Sequence, residues 1–224
     1  LAQSDEEMKE WLTSNKPNWG SKWQAGDVKY KDLTGEGEVT PGASTLENHG
    51  DLKRIGNNSP RYRVGLNLDA AWKGIDFSIF FQGVLKRDWM FDAGDPYFWG
   101  AGSGMWQAAC FEEHMDYWTP ENTDAYYPKP YFNETKNQQA QDAYMQKASY
   151  LRCKNIQLGY TLPTHITEKA GISNCRIYLS CDNLFTITGL SSVYDPEAFG
   201  SYDGYGTSGK TYPLQRTISV GVNL

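Results

Sequence analysis

The 224-residue sequence has no run approaching the roughly 18 consecutive apolar residues of a membrane-spanning helix, so spanning by helices is excluded. Basic charge is not in excess either: 21 Lys and Arg stand against 27 Asp and Glu, a formal net charge of -6. Nucleic acid, which is held by a basic face, is therefore excluded as a partner. Histidine is scarce. His49, His114 and His165 fall in separate segments, and neither "EEHMD" nor "HITE" has a metal-protease or zinc spacing. No nucleophile elbow or phosphate loop is present, and Glu112–Glu113 reads as a solvated helix face. The chain is read as no enzyme. Its four cysteines, Cys110, Cys153, Cys175 and Cys181, lack any CxxC spacing and are expected as free thiols.

What the chain has is aromatic residues, 8 Trp, 15 Tyr and 9 Phe, with 22 Gly to turn it. Its mean hydropathy of -0.64 is hydrophilic. That average is compatible with a membrane barrel, whose strands carry apolar residues only at every second position. The stretch "YRVGLNLDAAW" does this: Tyr62, Val64, Leu66, Leu68, Ala70 and Trp72 share one face, and Arg63, Asn67 and Asp69 the other. Four more stretches alternate in the same way. The pattern predicts strands over 61–73, 75–86, 149–162, 175–187 and 214–224, the last interrupted by Arg216. Lys73-Gly74 alone joins the first two, as a tight hairpin.

Strands of this length suit a tilted crossing of a bilayer. They are longer than the five or six residues usual in a soluble sandwich. The connections alternate short and long, which matches barrels with brief periplasmic turns and long extracellular loops. This places Lys73-Gly74 and 162–174 in the periplasm. Residues 1–60, with a short helix capped by Ser4 and Glu7, and the loops 87–148 and 188–213 then lie outside the cell. A further helix is expected over "MWQAACFEEHMDYW". The apolar face is read as touching lipid, with Tyr62, Trp72, Phe77, Tyr160 and Phe185 as interfacial aromatics. The alternative, a sheet packed on a protein core, would make this a secreted soluble carbohydrate-binding β domain. Five strands do not close a barrel, which takes about eight. Either several copies each contribute a few strands, or the chain, which opens at Leu1 without a signal peptide, is part of a longer polypeptide. The parity of the last strand also predicts two more residues beyond Leu224.

Candidate site residues follow from the faces and loops. Arg63, Asn67, Asp69 and Gln157 are expected to line a polar lumen. In the loop after the second strand, Trp89, Asp92, Asp95, Tyr97 and Trp99 combine aromatic platforms with carboxylates that accept sugar hydroxyls. Trp11, Trp19, Trp23, Trp106 and Trp118 occupy the same long segments; for all these aromatics, Trp89, Tyr97 and Trp99 included, packing of the loops on one another or on a partner is the plainer role. "DLTGEGEVT" offers Asp32, Glu36 and Glu38 as weak calcium ligands, but Ala43 stands where a calcium loop needs its last carboxylate. A glycine-rich turn is the alternative there. No cofactor is otherwise expected.

Four segments, in order, carry a resemblance. "GDVKYKDLTGEGEV", "GLNLDAAWKGIDFSIFFQGV", "ASYLRCKNIQLGYTLP" and "RIYLSCDNLFTITGLSSVYDPE", the last followed by "YPLQRTISVGVNL", resemble the C-terminal part of the SusC/RagA family of TonB-linked outer-membrane proteins. The resemblance implies an all-β fold: the C-terminal strands of a large antiparallel transmembrane β-barrel of about 22 strands, with the plug domain absent from this stretch. It implies import of glycans or peptides across the outer membrane of a Gram-negative bacterium. The partners implied are a SusD-like surface lipoprotein, outer-membrane lipid and TonB, the last acting through the missing N-terminal part. "YDPE", Tyr194 to Glu197, belongs to the family pattern and is expected to fix a loop.

Overall fold

The computed structural model describes residues 1–103, 109–132, 134–198, 212 and 214–224. Two compact units divide the chain. Among the described residues, a loop unit comprises those of Leu1–Gly56 and Met90–Met145, and a sheet unit those of Asn57–Trp89, Gln146–Phe199 and Thr211–Leu224.

The loop unit opens with helix α1 (Asp5–Ser14), whose N-cap Ser4 accepts the Glu7 N–H at 3.1 Å. Three acids in its first turn face the positive end of the helix dipole. Asn15 stops the helix by turning both its backbone N–H and its Nδ2 onto the Trp11 carbonyl, each at 3.0 Å. Strands β1 (Lys16–Pro17) and β2 (Glu38–Val39) then pair in parallel.

Beyond this, the unit is held by buried charge and rings. Lys136 and Asp27 are wholly buried and pair at 2.9 Å. The same ammonium donates to the Ser21 and Lys22 carbonyls at 3.1 Å and lies over the Tyr131 ring at 4.1 Å. Asp27 in turn accepts from Gln24 N–H and Asn137 Nδ2. A second cluster centres on Phe98, stacked on Phe91 and edge-on to Trp99, each at 4.8 Å. Of the helix expected over 105–118, residues 105–108 lie outside the described set, and the described residues 109–118 form a single 3-10 turn, Glu112–Met115, in its place. The cause is His114, whose Nδ1 accepts the Phe111 N–H at 3.0 Å and closes the turn on itself.

The sheet unit contains β3 (Arg63–Trp72), β4 (Ile75–Val84), β5 (Asp88–Trp89), β6 (Gln146–Thr161), β7 (Arg176–Gly189) and β8 (Thr217–Asn223). They form one antiparallel sheet in the order β3-β4-β6-β7-β8, with β5 on β6. At the β3–β4 hairpin Trp72 pairs with Ile75, and Lys73 and Gly74 both take positive φ, 48° and 86°. This twist matches that of the strands it joins. A short helix, α2 (Thr164–Thr167), and a 3-10 turn make the β6–β7 connection. Strand β8 begins three residues later than the alternation suggested. Leu214 gives its N–H to Asp195, and the Gln215 carbonyl accepts from Asn183, so this backbone serves loop anchors instead of the ladder. All four cysteines are free thiols.

Candidate functional site

The strand registers sort the side chains into two faces. One face runs in rows across the sheet: Trp72, Ile75, Tyr160, Ile177, Val222; then Ala70, Phe77, Leu158, Leu179, Val220; then Leu68, Ile79, Ile156, Cys181, Ile218. Every row is apolar across all five long strands. Among the described residues this face is left largely open, with Leu158 51% exposed and Val220 75%, though Cys181 is buried. A water-soluble monomer rarely leaves so continuous an apolar surface open.

The opposite face is polar and internally bonded. Arg176 pairs with Asp76, its Nε 2.9 Å from Oδ1, and donates to Gln157 Oε1 at 3.0 Å. Gly159 makes room for this pair, since a Cβ there would stand 2.5 Å from both the guanidinium and the carboxylate. Further along, Asn155 donates to Asp182 at 2.8 Å. Arg152, nearly buried, donates to Thr186 at 2.7 Å and Asp195 at 2.9 Å, and faces Glu197 at 3.1 Å. Lys154 also reaches Glu197 at 3.1 Å. The carboxylates of "YDPE" thus pin the loop after β7 onto β6. Burial pushes the Asp195 carboxyl up, but the Glu197 N–H, Arg152 and the Leu214 N–H outweigh it and hold the group below its usual range.

Comparison with known proteins narrows what such a two-faced sheet belongs to. No family model matches the chain. Over 206 residues, 89% of this chain, it is 30% identical to TonB-dependent receptor P3 of Formosa agariphila. It is 26% identical to TonB-dependent receptor P26 of the same organism over an equal length. Over most of its length the chain is thus similar to TonB-dependent receptors. It spans about a fifth, 19%, of the length of these two relatives.

The receptor fold agrees with solved structures. The RagAB peptide transporter matches 74% of this chain and 17% of its own at 25% identity, with a TM-score of 0.55. The RagAB peptide importer in its closed-closed state shows the same fold over 76% of this chain and 18% of its own, at 24% identity and a TM-score of 0.51. The five long strands are therefore strands of a large antiparallel β-barrel of the TonB-dependent type. These relatives are named as receptors and transporters, not as enzymes.

Within this receptor segment the residues singled out from sequence scatter. Arg63, Asn67 and Asp69 are exposed on the polar face of β3, where Asn67 donates to Asp69. Gln157, on the same face, is held by Arg176. Arg152 and Arg176 were not singled out, yet with Asp76 they organise that face; their alternation with apolar neighbours was the available signal. Of the five ligand candidates, Trp89 belongs to the sheet unit and the others to the loop unit. Trp89, Asp95 and Trp99 are buried. Asp95 accepts the N–H groups of Tyr97 and Phe98 at 3.0 and 2.8 Å, and the Trp99 indole donates to the Asp92 carbonyl at 3.0 Å. Trp99 packs edge-on to Tyr144 at 5.0 Å. Accessible surface remains at Asp92 and, in part, Tyr97. Trp106 lies outside the described residues.

Asp32 behaves as a turn-former. It accepts the N–H groups of Gly35 at 2.6 Å and Gly37 at 2.8 Å, and the Gly37 and Gly35 bonds hold its pKa below the ordinary value. Glu36 and Glu38 are exposed beside it. Among the described residues no group of three or more His, Cys, Asp or Glu is gathered to hold a metal ion.

Proposed function

We propose that this chain forms barrel strands and outer loops of a TonB-dependent transporter in the outer membrane, one that imports glycans or peptides with a SusD-like surface lipoprotein. The observation that carries the reading is the sheet itself: an apolar face left open across five strands, backed by a face of paired polar groups. The open face meets lipid and the paired face lines the lumen, as barrel strands require. Lys73-Gly74 and the β6–β7 connection turn in the periplasm, and the loop unit stands outside the cell. Arg63, Asn67, Asp69 and Gln157 lie along the passage, and Asp92 and Tyr97 are the loop candidates left open to cargo. The chain contributes no catalysis; TonB engages the receptor through residues outside these 224.

Val220→Arg tests this, with the full receptor refolded into phospholipid vesicles. An arginine on a lipid-facing strand near mid-membrane costs about 2–4 kcal/mol. On a water-facing surface it changes stability by under about 0.5 kcal/mol. The small value, together with a receptor that stays in the aqueous fraction without detergent, would leave the soluble carbohydrate-binding domain standing. A detergent-extracted assembly of several short copies, in place of one polypeptide about five times this length as in its relatives, would favour the oligomeric barrel.

A further inference from the structure

The loop unit holds an open cleft of about 870 Å3, within the range of about 300–1,000 Å3 that holds small organic ligands. Two stretches of chain form most of its lining, 28–55 and 116–144, and they bring opposite charges. Lys29, Lys31 and Lys53 come from the first, with Asp51, whose oxygens accept the Leu33, Thr34 and Thr40 N–H groups, and Asp116, Asp124 and Asp142 come from the second.

Their other contacts decide which of these charges is available. Lys29 is paired with Glu7. Asp116 is taken up by Asn122 Nδ2 and the Tyr126 N–H, both at 3.1 Å. Lys31 and Lys53 remain on one stretch and Asp124 and Asp142 on the other. All four are exposed and make no side-chain hydrogen bond or ion pair among the described residues. Val39, Leu52 and Ile55 add apolar lining. Part of the lining that would serve a neutral sugar is spent, since the Gln141 amide donates to Tyr30, Asn137 and Gln139, and Tyr30 and Tyr144 are buried, while Trp19 and Tyr126 keep accessible surface.

We propose that this cleft binds a short peptide with free termini. The α-carboxylate lies at Lys31 and Lys53, the α-ammonium at Asp124 and Asp142, and apolar side chains rest on Val39, Leu52 and Ile55. Two available cations and two available anions match a zwitterion, whereas a ligand of one sign would leave one pair unmet. The role as a holding site for cargo rests on the transporter reading; the binding itself does not.

The test is calorimetric titration of the full receptor in detergent with tetra-alanine, as free-ended peptide, as N-acetyl peptide and as C-terminal amide. Free-ended peptide binds, and blocking either end weakens it about fivefold or more. Lys31→Ala with Lys53→Ala abolishes the discrimination between acid and amide; Asp124→Asn with Asp142→Asn abolishes that between amine and acetylated amine. These side chains are exposed, so the fold is kept. Equal binding of all three peptides, no binding of any, discrimination unchanged in the variants, or displacement by maltotetraose overturns the proposal. TonB-dependent uptake is measured separately. A receptor that fails these titrations yet still imports another cargo loses the peptide cleft and keeps the transporter reading.

Discussion

Replacing Lys136 by Met is the sharpest probe of what holds the loop unit together. Methionine keeps the length and apolar stem of the side chain, so packing changes little. What goes is the ammonium, which makes the 2.9 Å pair with Asp27, two 3.1 Å bonds to the Ser21 and Lys22 carbonyls, and the contact with Tyr131. Asp27 is left wholly buried without a cation, and removing one partner of such a pair costs about 3–5 kcal/mol. Two carbonyls losing their donor push the cost toward the upper end. Asp27→Asn in the same chain removes the stranded charge, so the double variant is expected to recover at least about 1.5 kcal/mol relative to the sum of the single ones. Denaturant unfolding followed by the fluorescence of Trp23, whose ring lies 5.3 Å from the ammonium, reads both quantities. A Lys136→Met loss under about 1 kcal/mol, or strict additivity in the double variant, would refute the claim that this pair organises the unit.

Other expectations are as direct. Arg152→Ala leaves Asp195 and Glu197 without their shared guanidinium; we expect a loss of about 3–5 kcal/mol and faster proteolysis within residues 190–198. Because the folded Asp195 carboxyl titrates below its ordinary value of 3.8, its contribution is fully present above that value and lost as pH falls through the depressed one. Protease sensitivity of the same loop should therefore stay flat from neutral pH down to about 3.8 and rise only below it. Gly74→Val forces a β-branched residue into φ 86° and sets its Cβ 2.9 Å from the Thr161 carbonyl. A loss above about 1 kcal/mol is expected, and a neutral result in vesicle refolding would contradict the turn geometry. Asp32→Ala should free the Gly35 and Gly37 amides, read as faster hydrogen exchange there; unchanged exchange would count against the turn-forming role.

The sheet was readable in advance because its cause is local. Alternation has a period of two, and the ten residues of β3 contain it. The hairpin was equally legible, since Lys73-Gly74 leaves no length for another connection. The cargo-binding reading of the loops went less far for a physical reason. An aromatic residue and a carboxylate in a loop look the same in sequence whether they face solvent or a neighbouring segment. Trp99 and Asp95 turned inward because Tyr144, Tyr127 and their own following amides were there to receive them. His114, which ended an expected helix after one turn, is a similar case: a side chain that caps locally gives no periodic signal.

By itself, then, the sequence determined the strands, their faces, the tight turn and the alternation of short and long connections, all set by neighbours a few residues apart. Only the tertiary structure decided which charges are spent and which remain. Asp27 meets Lys136 across 108 intervening positions, and Asp76 meets Arg176 across 99. The partners of Lys31 and Asp124, or their lack of any, depend on where distant segments come to rest. Charge pairing acts through space and has no period along the chain, so it becomes visible only when the chain is folded.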